Sequence, residues 1–333
     1  MVTIADVARL AGVSKTTVSH AISGKRPVAP ATRERITQII AELGFRPNAL
    51  ARSLRMQRTQ MIALIIPDIT DPYYPALARG LQDTLASYGY YAILCNTDGE
   101  WHQEHEFIAN AIQRQVDGII LSSLCTRNEN IQQLVENSVA FVSIGPSTCH
   151  PNTDHITTDD QAGAMNATRY LLQQGHQRIG FIGGSSKQLH GGARFAGYRK
   201  ALEEAHLSID EALIVEGDFK RTGGQQAFCT LIQRFDAATR PTAIFCANDL
   251  MAIGALDVAR QLGMKIPNDM AIIGYDDITA ASLITPALTT IQPRTYDAGK
   301  VAGQLLMERI TGLYEGPGRH VAMPHQLIQR ESA

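Results

Sequence analysis

IADVARLAGVSKTTVSHAIS, residues 4–23, carries two short amphipathic repeats separated by a glycine. In the first, Ile4, Val7, Ala8 and Ala11 recur at three- and four-residue steps, so a helix opened by Thr3 buries one stripe and stops at Gly12. In the second, Ser14 is placed to cap a helix whose Val18, Ala21 and Ile22 face inward. Two such helices joined by a glycine-containing turn form a helix-turn-helix pattern. Downstream, a third helix opens near Ala31 after Pro30, with Ile36, Ile39, Ile40 and Leu43 inward and Gly44 as its stop. The expectation is a small all-α domain over residues 1–45.

The outer face of the second helix carries Lys15, Thr16, Thr17, Ser19 and His20, all small or hydrogen-bonding. Such a face suits a DNA major groove, whose base edges present donors and acceptors to short polar side chains. Spacing alone leaves a protein-interaction module open. Charge favours DNA: the first 60 residues hold ten Lys and Arg against three Asp and Glu, +7, while the remainder is −9, hidden in a total of −2. Phosphate neutralisation supplies much of DNA affinity, so a cationic head seeks a polyanion. RPNALARSLRMQRTQ, residues 46–60, joins head to body, and a helix this short orders only against a groove or a partner.

Beyond Gln60 the pattern changes to short apolar runs ending in polar residues: MIALIIPD, YAILCNTD, DGIILSSL, AFVSIGP, RIGFIGG, LIVEGDF, TAIFCAND and MAIIGYDD. Alternation of such runs with helical stretches indicates parallel strands covered on both faces, hence two doubly wound α/β sheets. The expected lobes are about 61–158 plus 290–322 and about 163–287 plus 325–333, with the LTTIQP strand and its following helix returning to the first. Ligands bind beyond the carboxyl ends of parallel strands. There this chain places Asp71, Tyr73 and Tyr74, then Ser122, then Phe219 and Lys220, then Asn248, then Asp276. Aromatic rings, carboxylates and an amide together suit a hydroxyl-rich metabolite.

Other chemistries find little support. No apolar run reaches membrane-spanning length and no export signal opens the chain, so a cytoplasmic protein is expected. Five scattered cysteines form no Cys-x-x-Cys pair. His102 and His105 lack a third ligand at metal spacing, and the chain has neither a Walker pattern, a full dinucleotide fingerprint nor a Gly-x-Ser-x-Gly elbow. The reading is of no enzyme, no cofactor and no metal.

IADVARLAGVSKTTVSHAISGKRPVAPATRERI and ELGFRPNALARSL resemble the amino-terminal domain and hinge of the LacI/GalR family of bacterial transcriptional repressors, and the similarity continues along the chain. The resemblance implies a periplasmic-binding-protein-like body. It implies that Lys15, Thr16 and His20 touch bases, among DNA-contacting neighbours Thr3, Ser14, Thr17 and Ser19. Paired hinge helices would enter the minor groove with Leu54 as a wedge and Asn48, Ala51, Arg52 and Arg55 along the groove. Many members carry Arg where this chain has His20, so their half-sites do not transfer. For the cleft it implies ligand contacts at Arg194, Asn248, Asp276, Phe219, Tyr73 and Tyr74, with Ser122, Gln188, His190 and Lys220 nearby. Convergence of Arg194, His190 and Lys220 raises the expectation of an anionic ligand, a sugar acid or sugar phosphate. Asp249 and Asp277 read equally well as helix caps. The expected assembly is a homodimer on a pseudo-palindromic double-stranded operator, localised to the nucleoid through it, since LIQRESA has no heptad pattern for a tetramer. A transport solute-binding protein is opposed by the basic head. A sugar-modifying enzyme would turn its ligand over rather than return it unchanged.

Overall fold

The computed structural model describes residues 2–24, 26–45, 58–123, 126–145, 150–185 and 192–333. It forms two compact units, Met1–Thr59 and Gln60–Ala333. The first contains α1 (Ile4–Ala11), α2 (Lys15–Ser23) and α3 (Pro30–Leu43). Asp6 accepts the Thr3 hydroxyl at 2.8 Å and the Thr3 N–H at 3.0 Å, closing the first turn of α1, and these two bonds, the hydroxyl's first, hold the Asp6 carboxyl below its usual range. Gly12 ends α1 at φ 63°, a left-handed conformation that a side chain would strain. Val7, Ala8, Ala11, Val18 and Ile36 make the core, with Ile39, Ile40 and Leu43 half-buried around it. Ile22 departs from expectation. Val18 fills the gap toward α1 and α3, and Ile22, on the flank of that stripe in the last turn, stands 39% exposed.

In the second unit, among the described residues, two six-stranded sheets form the lobes. The first sheet runs β11-β5-β4-β3-β1-β2, with β1 Met61–Ile66, β2 Tyr91–Asn96, β3 Gly118–Ser122, β4 Ala140–Ile144, β5 Asp154–Thr157 and β11 His320–Ala322, all parallel. The second runs β12-β10-β9-β8-β6-β7, with β6 Ile179–Gly183, β7 Ile214–Glu216, β8 Ala243–Cys246, β9 Ala271–Tyr275, β10 Thr289–Gln292 and β12 Gln326–Ile328. Only its edge strand β12 is antiparallel, to β10. Ile62, Leu64, Ile65 and Ile66 on β1, and Ile244, Phe245 and Cys246 on β8, are fully buried, as strands covered on both faces require.

The strand in LTTIQP is a correction. β10 belongs to the second sheet, held by β9 and β12, and only the following helix, Thr295–Thr311, returns to the first lobe. That helix packs backbone to backbone on Tyr73–Ser87, because a Cβ on Gly80 would meet the Tyr296 carbonyl and one on Gly299 the Leu77 carbonyl. Among the described residues the chain therefore passes between lobes after Thr157, between Gln292 and Thr295, and between Ala322 and Gln326. At the opposite end of β5 from the last passage, Asp154, fully buried, is gripped by Arg309 and Arg319 at 2.8–3.1 Å. Burial would raise its pKa, but the two guanidiniums hold the carboxyl well below the usual range.

Candidate ligand cleft and DNA-facing helix

On α2 the Ser14 Oγ accepts the Thr17 N–H at 3.1 Å and lies 2.9 Å from the Thr17 Oγ1, so these two residues build the helix start. Lys15 and Thr16 are exposed, whereas Thr17, Ser19 and His20 are half-buried. Thr3 is exposed and serves the start of α1. Asn48, Ala51, Arg52, Leu54 and Arg55 lie outside the described residues, as do Gln188 and His190.

The cleft is built from strand ends. In the first lobe, Asp71 Oδ1 accepts the Tyr73 N–H at 3.0 Å and so shapes the entry to the helix Tyr73–Ser87. Tyr73 and Tyr74 meet edge to face, ring centroids 5.0 Å apart. Burial raises the phenol pKa of both, and raises that of the Asp71 carboxyl. Ser122, ending β3, is buried.

In the second lobe Arg194 sits in the first turn of the helix Ala193–Glu204, its side chain 18% exposed. It lies 3.1 Å from Asp276 and 3.4 Å from Asp160, donates to the Ala247 carbonyl, and stacks 3.7 Å over the Tyr275 ring. Burial disfavours its charge, but Asp160 and Asp276 overcome that and raise its pKa. Asp276, its side chain 5% exposed, is pushed in the opposite sense: burial raises its pKa more than Arg194 lowers it.

Asp160 is a residue that sequence reasoning missed. The neighbouring carboxylates Asp159 and Asp160 point apart, Asp159 capping the next helix through the Ala162 N–H at 3.2 Å. Asp160 then turns to Arg194 and accepts from the Tyr275 hydroxyl at 3.1 Å. Asp276 and Asp277 divide likewise, Asp277 accepting from Gln292 and Arg330, both at 2.6 Å. No linear spacing joins Asp160 to Arg194; the close packing of the helices Asp160–Gln173 and Ala193–Glu204 in the second lobe, where a Cβ on Gly197 would meet the Gln161 carbonyl, brings them together.

Several expected contacts have structural employment. Asn248, 1% exposed, caps the helix Asp249–Gln261 through the Met251 N–H at 3.0 Å and donates to the Phe219 carbonyl at 2.8 Å. Phe219 is half-buried at φ 62°. Asp249 is buried, bound by the Thr290 hydroxyl at 2.6 Å and the Ile278 N–H at 2.9 Å, and its burial raises its pKa to about 7. Lys220 is exposed, and its charge acts on Asp68. Of the three cations expected to converge, Arg194 is compensated by carboxylates, Lys220 is exposed, and His190 lies outside the described residues.

Between the lobes a cavity of about 410 Å³ is lined by Tyr73 and Ala76 from the first, Asp276 and Thr279 from the second, and Gln292 and Thr295 from the crossover. Its walls are polar and its acids outnumber its bases, as a ligand rich in hydroxyls requires. His102 and His105 lie apart from this cavity, on the helix Trp101–Gln113. His102 stacks on Trp101, centroids 3.6 Å apart, and His105 Nδ1 lies 2.8 Å from Asn130 on the neighbouring helix. Among the described residues no group of three or more metal-ligating side chains occurs and no helix is long and apolar enough to cross a membrane.

Comparison with known proteins bears on both regions. Residues 3–48 match the family described as bacterial regulatory proteins, lacI family, and residues 168–333 match a periplasmic binding protein-like domain. Catabolite control protein A of Priestia megaterium is 35% identical over 332 residues, 99% of either chain. The HTH-type transcriptional repressor PurR of Proteus mirabilis is 36% identical over 336 residues, covering 100% of this chain and 97% of that one. Among solved structures, a complex of the transcriptional regulator CelR with cellobiose superposes with TM-score 0.76 and 32% identity over the whole of both chains. A Lac repressor dimer bound to operator and the anti-inducer ONPF shares the fold, with TM-score 0.89 at 24% identity over 99% of this chain and 98% of that one.

Proposed function

The chain belongs to the lacI family of bacterial regulatory proteins, DNA-binding repressors under small-molecule control, and from that premise we propose that it reads a pseudo-palindromic operator as a homodimer and answers to an uncharged, hydroxyl-rich metabolite. It is a transcriptional regulator rather than an enzyme. Lys15, Thr16 and His20 of α2 read base edges, and the linker residues Asn48, Ala51, Arg52, Leu54 and Arg55 act in the minor groove. One short helix makes too few base contacts for genomic specificity, which is why a second copy is needed. Exposed Tyr91, Ile93 and Leu94 on the edge strand β2, and Leu262 and Leu283 on the second lobe, support that second copy.

The observation that carries the ligand class is the Arg194 socket. A guanidinium held by two carboxylates leaves Asp276 at the cavity wall as an acceptor for hydroxyl donors, while Tyr73, which also lines the cavity, offers its ring to the apolar side of a sugar. Among the described residues, a phosphate or carboxylate on the ligand would meet these acids with the Arg194 guanidinium already paired. The relative CelR was solved with cellobiose and an Enterococcus faecium relative with ribose, both neutral. Ligand binding changes lobe closure, which alters the pairing of the two linkers over the operator; linkage makes the effect reciprocal.

The test selects duplexes from a random pool with the purified protein. It then titrates the selected operator in the presence of neutral sugars and of the corresponding sugar acids and phosphates. Selection of a two-fold-symmetric site whose affinity responds to neutral sugars is the expected result. A response confined to the anionic members would overturn the ligand class, and failure to enrich any duplex would overturn the regulator.

A further inference from the structure

The loop that aims Asp276 at Arg194 is strained, with Asp276 at φ 109° and Asp277 at φ 49°, neither of them glycine. Such backbone persists only where its surroundings over-determine it. Three groups do so here. Asp249 binds the Ile278 N–H at 2.9 Å, so closely packed that a Cβ on Gly274 would meet its carboxylate. Gln292, lining the cavity at the second crossover, donates to Asp277 at 2.6 Å. The third comes from residues 326–333, which the ligand cleft as described does not use.

That segment is zipped along the second sheet. β12 pairs antiparallel with β10, the Arg330 N–H donates to the Thr289 hydroxyl at 2.9 Å, and Ser332, fully buried, exchanges bonds with Ile272 at 2.6 and 2.8 Å. Anchored on both sides, Arg330 donates to the Leu288 carbonyl at 2.8 Å and to Asp277 at 2.6 Å, with side chains only 18% and 11% exposed. A shielded, doubly bonded guanidinium holds geometry far better than a solvated surface pair.

We propose that Arg330 is a positioning residue of the ligand cleft: through Asp277 it fixes the strained loop that presents Asp276 and locks Gln292 of the crossover in register with it. Lobe rotation at Gln292 and occupancy at Asp276 then act on one rigid unit. The claim deepens the reading of the cleft given above and rests on it for its meaning. Its test, hydrogen exchange on the full-length protein, needs neither ligand nor DNA, so it can fail independently of that reading.

In Arg330→Met, amides of residues 275–279 and 290–296 should exchange about tenfold faster, while those of β6 and β8 keep their rates. Arg330→Lys should recover most of the protection. Asp277→Asn should reproduce the loss, and the Asp277→Asn/Arg330→Met double variant should add little to it. Unchanged exchange in the loop, or acceleration spread evenly through the second lobe in both Arg330 variants, would overturn the assignment. Should Arg330→Met fail to fold, the Arg330→Lys and Asp277→Asn rates decide the matter alone.

Discussion

At the scale of single residues the cleft is governed by burial set against charge. Arg194 is held by Asp160 and Asp276, and removing the cation leaves two shielded carboxylates facing one another. Arg194→Met should cost about 3 kcal/mol of stability in chemical denaturation and abolish the ligand response. Asp249 makes a pH-dependent statement. Its carboxyl ionises near its ordinary value when unfolded but only near pH 7 when folded, so its contribution is complete in acid and declines as pH rises from about 4 to about 7. Thermal melts of Asp249→Asn should therefore gain on the wild type between pH 5 and pH 8; a constant difference would contradict the buried-acid assignment. Asp276 was legible in the sequence because it follows an apolar strand run in a position where ligands gather, and Arg194 through the family resemblance. Asp160 was not, because its role depends on the packing of two helices that are separate in sequence. Asn248 shows the reverse problem: the same local pattern that marks a ligand contact marks a helix cap, and here both ends of the amide are engaged within the lobe.

At the scale of elements, local periodicity read well wherever one helix face meets one core, as in α1 with Val7, Ala8 and Ala11. It read poorly for short strands whose membership is set by distant partners. β5, Asp-His-Ile-Thr, has only Ile156 to mark it as buried strand, and β10 was placed in the wrong lobe because nothing within LTTIQP says which sheet edge it joins. The caps of the head give a graded prediction. Ser14→Ala removes the bond to the Thr17 N–H, should cost the head about 1 kcal/mol, and should weaken operator binding without altering the preferred bases. Thr16→Ala should instead relax preference at one position in each half-site, by about 1 kcal/mol or more in competition binding. In the first lobe, Asp154→Ala leaves Arg309 and Arg319 facing a gap and should cost about 3 kcal/mol in denaturant unfolding.

At the scale of the molecule, the first 60 residues carry +7 and the remainder −9, and among the described residues the two sheets of the second unit are joined by crossovers, one of which lines the cavity. A ligand touching Tyr73 in one lobe and Asp276 in the other, beside Gln292, has the reach to choose the angle between the lobes. The most direct measurement is a reciprocal titration: operator affinity with and without a saturating neutral sugar that the protein binds, and affinity for that sugar with and without operator. The expected result is one and the same factor in both directions, about tenfold or more, lost in Arg194→Met. Operator affinity that is identical with the cleft empty and full would contradict the coupling on which the function depends.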